Sequence, residues 1–251
     1  MLAVTYISRF MQNRIILILI SLFFTLTANA QSLSEQEIFD KLKQKYSPEA
    51  YQKAVDEYRL ANDTIKTIML RIYSMPMSSR QETIDNYETH IQDITRLKNE
   101  FVKAVPKGYI VSLNIEFGSA PLYSITSIDL MISKKGKDGK PEFIDGEFDM
   151  EYGSERLDQL LKILKWDAMT FSNFRNMMQM ANCCSIENGS PIEIGFKRSG
   201  LGKYSYLIFN TDMLTVPQIK AYNDGCQYKY YKKNVVLKYE GGMAGPQCFT
   251  D

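Results

Sequence analysis

Histidine is all but missing from this sequence: His90 is the only one. Schemes that pair a serine or cysteine nucleophile with an imidazole base need a histidine beside the nucleophile. His90 lies in a charged helical stretch without such a neighbour, so it reads as a surface or packing residue. The chain also lacks HExxH, a phosphate-cradling glycine loop, a dinucleotide fingerprint and G-x-S-x-G. No cofactor is therefore expected. A charge surplus is missing too, since 30 Lys and Arg stand against 29 Asp and Glu. Nucleic acid requires a basic surplus or stripe, and none is present.

Long apolar runs are confined to one place, Ile15 to Leu26, preceded by Arg14 and followed by Ala28-Asn29-Ala30. Charged start, short apolar core and small residues at the cut make residues 1–30 a cleavable secretory signal peptide. The run breaks at Thr25, Thr27 and Asn29, short of the roughly 20 apolar residues a bilayer span needs. Gln31, not cysteine, follows the expected cut, which argues against a lipid anchor. Losing Arg9 and Arg14 with the leader leaves 28 basic side chains against 29 acidic. An exported, periplasmic or extracellular chain without a membrane span in its mature part is the expectation.

Residues 31–106 read as helical. Ser34 with Glu37 forms a capping box, and Ser47-Pro48-Glu49 is a second helix start. Tyr51, Ala54, Tyr58, Ala61, Ile65, Ile68 and Ile72 recur at steps of three and four, a heptad seam. Met75-Pro76 stops that run and Ser79 to Glu82 starts another, whose stripe is Ile84, Tyr87, Ile91, Ile94, Leu97, Phe101 and Val105. Two long helices with a short connector predict an antiparallel hairpin, each arm about 35 to 40 Å long.

From residue 107 to 251 the pattern is that of an α+β domain. Val111, Leu113, Ile115 and Phe117 alternate with polar residues, as in a strand with one wet face. A turn at Gly118 to Pro121 leads to a second strand that changes phase near Thr126 and Ser127, where a bulge is expected. Asp138-Gly139 signals a hairpin into a third strand, with Phe148, Met150 and Tyr152 alternating with Glu147, Asp149 and Glu151. Two helices follow, lined by Leu157, Leu160, Leu161 and Leu164, then by Phe171, Phe174, Met177 and Met178. Strands around Ile192 to Phe196 and Tyr204 to Phe209, a short helix near Pro217 and a closing strand from Tyr228 to Tyr239 complete the reading. The fold class is α+β: an N-terminal helical hairpin, then an antiparallel sheet with helices packed on one side.

Three groups of residues carry chemistry. Asp145, Glu147, Asp149 and Glu151 share a phase, with Lys229, Lys232 and Lys233 as prospective partners; a wet sheet face explains them, and a carboxylate hydrolase using Asp149 and Glu151 is the alternative. Cys183, Cys184, Cys226 and Cys248 are expected to form disulfides, with Cys183 and Cys184 each bonded to a distal partner. Met177, Met180 and Cys184 fall on one helical face, the rival reading being a Cu(I) site. Tyr228, Tyr230 and Tyr231 are the candidate binding residues, facing a protein or glycan partner. The leading expectation is an exported, non-catalytic binding or structural protein.

Overall fold

The computed structural model describes residues 34–75, 77–117, 127–136, 140–200, 202–241 and 248–249. The expected leader, the Gly118 to Pro121 turn, the phase change at Thr126, the Asp138-Gly139 turn and residues 242–247 lie outside these residues. No helix among the described residues is long and apolar enough to cross a membrane. The chain divides into two units, with the boundary between Gln52 and Lys53.

In the first unit, α1 (Glu35–Lys45) starts as the sequence predicts. Ser34 Oγ accepts from Glu37 N–H at 3.3 Å while Ser34 N–H donates to the Glu37 carboxylate at 2.8 Å. Its apolar stripe, Ile38, Phe39 and Leu42, is buried. Ser47 Oγ likewise accepts from Ala50 N–H at 3.3 Å at the start of α2 (Pro48–Leu60).

The long first arm of the expected hairpin is divided. Asn62 interrupts it, its side-chain oxygen accepting from Ile65 N–H at 3.0 Å, so that α3 (Asp63–Tyr73) is a separate helix. An asparagine followed by aspartate stabilises a new helix start more than it stabilises continuation. The stripe splits accordingly: Ala54 and Tyr58 are buried, whereas Ile65, Ile68 and Ile72 face solvent and α3 buries no residue. The second stripe does pack. In α4 (Arg80–Ala104), Tyr87, Ile94, Leu97 and Phe101 are buried, and the helix lies against α6, β5 and β6. Backbone angles at His90 depart from helical values, and Ile91 just after this kink is partly exposed.

The sheet has eight strands: β1 (Tyr109–Ile115), β2 (Ile128–Lys135), β3 (Pro141–Met150), β4 (Ser185–Glu187), β5 (Ile192–Ser199), β6 (Gly202–Ile208), β7 (Tyr228–Lys232) and β8 (Val235–Glu240). Their order is β3-β2-β1-β4-β5-β6-β8-β7, and every neighbouring pair is antiparallel. Between β3 and β4 the chain forms α5 (Glu155–Leu164) and α6 (Ala168–Met180); α7 (Val216–Ala221) lies between β6 and β7. The closing strand is thus a hairpin, turned at Lys233 in the left-handed region and anchored by Asn234 Nδ2, which donates to Phe209 O at 2.7 Å.

One face of the sheet meets the helices. Val111, Leu113, Ile115, Leu130, Ile194, Tyr206 and Leu237 interdigitate with Leu97, Phe101, Leu160, Leu164, Phe171, Phe174 and Met178. Phe101, Trp166 and Phe174 meet edge-on or tilted, centroids 4.9 to 5.6 Å apart, and Trp166 Nε1 donates to Ala104 O at 3.0 Å. Tyr206, Asn86 and Thr83 pair their polar groups within this layer. Tyr206 Oη donates to Thr83 O at 2.8 Å and accepts from Asn86 Nδ2 at 3.1 Å, while Asn86 Nδ2 also reaches Ala181 O. These bonds fix α4 in register against β6 and the end of α6.

Candidate functional site

The opposite face of the sheet carries a polar row, beside an apolar patch of Leu207, Leu214 and Val236 at the end where β6, β8 and β7 lie. Strand register aligns Asp129, Asn114, Ser185, Gly195, Ser205, Lys238 and Tyr228 in one row across seven strands. Gly195 is required at its centre by close approach: a Cβ there would stand 2.1 Å from Ser185 Oγ and 2.8 Å from Lys203 Cδ. Lys203 crosses over this glycine, its Nζ 3.1 Å from Ser185 Oγ and 3.7 Å from Glu193. Lys238 reaches Glu193 at 2.8 Å and Glu240 at 2.5 Å, and Arg198 Nε reaches Glu116 at 2.6 Å.

Electrostatics in this row are strongly coupled. Burial raises the Glu193 carboxyl, but Lys203 and Lys238 outweigh it and hold the group below its ordinary pKa. Burial opposes the charge on Lys238, which Glu193 and Glu240 nevertheless hold above the usual lysine value. Glu187 moves the other way, raised by burial and by the neighbouring Glu193. A serine beside a lysine is a nucleophile-base arrangement in principle. Here Ser185 is only 4 % exposed and Lys203 is committed to Glu193, so the pair is built as a support for the sheet.

The acidic residues of β3 do not share one face. A bulge sets Leu130 opposite Glu147 and Ile128 opposite Met150, with Asp149 in the left-handed region, so the expected shared phase of Glu147 and Asp149 is lost. Nor are lysines of β7 their partners, because β7 is at the far edge of the sheet. Arg156 of α5 serves instead, 2.5 Å from Asp145 and 3.7 Å from Glu147. It holds the Asp145 carboxyl below its ordinary pKa. A depression of about 570 Å³ has its described lining, Ile91, Gln92, Thr95, Arg96, Asn99 and Glu100, on α4 alone, far from the polar row in sequence and strand.

The cysteines pair differently from expectation. Cys226 is bonded to Cys248, and Cys183 and Cys184 are free and buried. Cys226 and Cys248 meet each other, and Cys183 and Cys184, as neighbours in an extended stretch, point to opposite faces in different surroundings. Cys183 belongs to the helix-side core, its Sγ 3.3 Å from Ala181 O, whereas the charged neighbours of Cys184 are Lys203, Glu116 and Arg198. Burial raises both thiols, Cys184 to about 11. Cys226 and Cys248 meet where Phe249 N–H donates to Cys226 O at 2.9 Å, so the disulfide clips the C-terminal tail to the approach to β7, not to the helical layer. The sulfur stripe does not converge either. Met178 is fully buried, Met177 packs on the helix-side core and Met180 is exposed. No group of three or more His, Cys, Asp or Glu among the described residues is arranged to hold a metal ion.

The three tyrosines lie on both faces of β7. Tyr228 and Tyr230 are half-buried with Leu207, Leu214 and Val236, beside Ile219 and Tyr222 of the α7 region. Tyr231 packs on the other face against Tyr87, and its hydroxyl donates to Glu88, which also holds Lys232 at 2.5 Å. Burial and the bond to Glu88 push the Tyr231 hydroxyl up to about 12. They form no single outward platform for a sugar ring.

Pattern reading missed the edge of the sheet at β3. It is an outermost strand of ten residues, with no described strand on its outer side. Phe143 and Phe148 are each 63 % exposed, and Ile144 and Tyr152 are also exposed. The signal was available in Phe143-Ile144 and Phe148, but strict alternation assigned Phe148 to the core. The chain matches no family model, no curated protein and no solved structure.

Proposed function

We propose that this chain is an exported, non-catalytic binding protein that takes an extended segment of a partner polypeptide as an added strand along the outer edge of β3. The observation that supports this is the combination at β3 of an edge with no strand beyond it among the described residues and exposed Phe143, Ile144 and Phe148. Edge strands are ordinarily short, bulged or charged, because an open row of N–H and C=O groups is a template for pairing. β3 is long; its bulge near Asp149 and its four acids restrict which strand can join it, while Phe143, Ile144 and Phe148 offer apolar contacts to alternate residues of an added strand. The disulfide fits an oxidising compartment and supports export.

A polypeptide partner is preferred to a glycan because Tyr228 and Tyr230 are occupied by the α7 cluster. The test uses a synthetic extended peptide of alternating lysine and tyrosine, complementary to the acidic and aromatic edge. Saturable binding that is lost in Phe143→Ser/Phe148→Ser, with the melting temperature unchanged, is expected. Binding of equal strength to that double variant would remove β3 as the site.

A further inference from the structure

The two edges of the sheet differ in charge. β3 carries Glu142, Asp145, Glu147 and Asp149 and no basic residue. β7 with its turn carries Lys229, Lys232 and Lys233 and no acid. Like charges placed across a strand pair destabilise it and opposite charges favour it. Pairing β3 with β3, or β7 with β7, between two copies therefore opposes like charges, whereas pairing β3 with β7 matches them.

Topology makes the matched pairing geometrically regular. Eight strands alternate in direction, so the two edge strands run antiparallel to each other. A second copy placed edge to edge by translation sets its β7 antiparallel to β3 of the first and keeps the same sheet face up. Phe143, opposite Ser133 on the polar face, then adjoins the face that carries Tyr228 and Tyr230. Sheet twist, roughly 20 to 25° per strand, turns such a repeat into a screw.

We infer that the partner strand at β3 is β7 of a second copy of this chain, giving a head-to-tail assembly in which each sheet continues into the next. Such an interface is heterologous, and it forms open chains or closed rings. The inference rests on β3 being the docking edge and adds the identity of its occupant.

Sedimentation velocity on the purified full chain tests it, with two charge-reversed variants. Lys229→Glu/Lys233→Glu leaves two acids against Lys232 and makes both edges acidic, and Glu142→Lys/Glu147→Lys/Asp149→Asn leaves two lysines against Asp145 and makes both basic. The wild-type protein is expected to associate with rising concentration and to dissociate as salt is raised. Each variant alone is expected to sediment as a monomer, and an equimolar mixture of the two is expected to recover association. Circular dichroism melts of the variants verify that each is folded. A wild-type protein that stays monomeric at the highest attainable concentration, or a dimer indifferent to both reversals, would overturn the inference. If the lysine-tyrosine peptide still binds a monomeric wild-type protein through Phe143 and Phe148, the docking edge stands and only its occupant is wrong. Loss of both results removes both.

Discussion

Replacing Gly195 by alanine probes the polar face at its narrowest point. Gly195 has no positive φ, so alanine meets no backbone strain there and would by itself stabilise by about 0.4 to 1 kcal/mol through the unfolded chain. Against this stands a methyl 2.1 Å from Ser185 Oγ and 2.8 Å from Lys203 Cδ. Lys203 has a flexible stem and can give way. Ser185 sits on the neighbouring strand at 4 % exposure and holds Lys203 Nζ, so relief there costs a rotamer or a shift of β4. Overpacking of this kind costs about 1 to 3 kcal/mol. The net destabilisation is then between about 0 and 2.6 kcal/mol, or up to roughly 10 °C in melting temperature for a chain of this size. Calorimetric melts of Gly195→Ala, Ser185→Ala and the double variant form a cycle. Removal of Oγ lifts the closest contact, so the double variant should lose at least about 1 kcal/mol less than the sum of the singles. Additivity within about 0.5 kcal/mol would refute the steric argument.

Other expectations follow from the buried polar groups. Tyr206→Phe removes an acceptor from Asn86 and a donor to Thr83 O inside the helix layer, and should cost about 1 to 3 kcal/mol in chemical denaturation. Glu187 has a folded pKa above its unfolded one, so ionisation weakens the fold increasingly as pH rises through the unfolded value and then the folded one. Glu187→Gln should therefore be the more stable protein at pH 7, with the advantage gone below the unfolded pKa; pH-dependent melts that show the reverse trend contradict the assignment. Maleimide labelling should detect two thiols, Cys183 and Cys184, only after denaturation, while reduction of Cys226–Cys248, which spans 22 residues, should cost about 3 kcal/mol. Labelling of either thiol in the native protein would show that its burial is wrong.

Local signals in the sequence carried most of the architecture. Ser34, Ser47 and Ser79 begin helices as their capping patterns imply, and the stripes of α4, α5 and α6 are the core-facing ones. The misreadings came from places where one residue changes phase. Asn62 ends a heptad run that periodicity alone would extend, and its cap bond with Ile65 is a short-range choice that a stripe of isoleucines conceals. The bulge at Asp149 moves Phe148 out of the core, and a left-handed aspartate is not marked by any apolar pattern. Strand order was legible only for β1, β2 and β3, whose sequential turns place them side by side and antiparallel, and not for the rest of the sheet. It decides that the lysines of β7 and the acids of β3 stand at opposite edges, and pairing across a sheet is set by partners remote in sequence. Cysteine connectivity fails for the same reason, since even a short list of candidates depends on which segments meet.

Residue-resolved amide hydrogen exchange along Glu142 to Met150, with and without the lysine-tyrosine peptide, tests the docking edge most directly. The outward-facing amides of β3 should exchange quickly in the free protein and slow by about tenfold or more when the peptide is near saturation, which corresponds to at least ~1.4 kcal/mol of added protection. Saturable binding that leaves every β3 amide unchanged, with protection arising elsewhere on the sheet, would contradict the account.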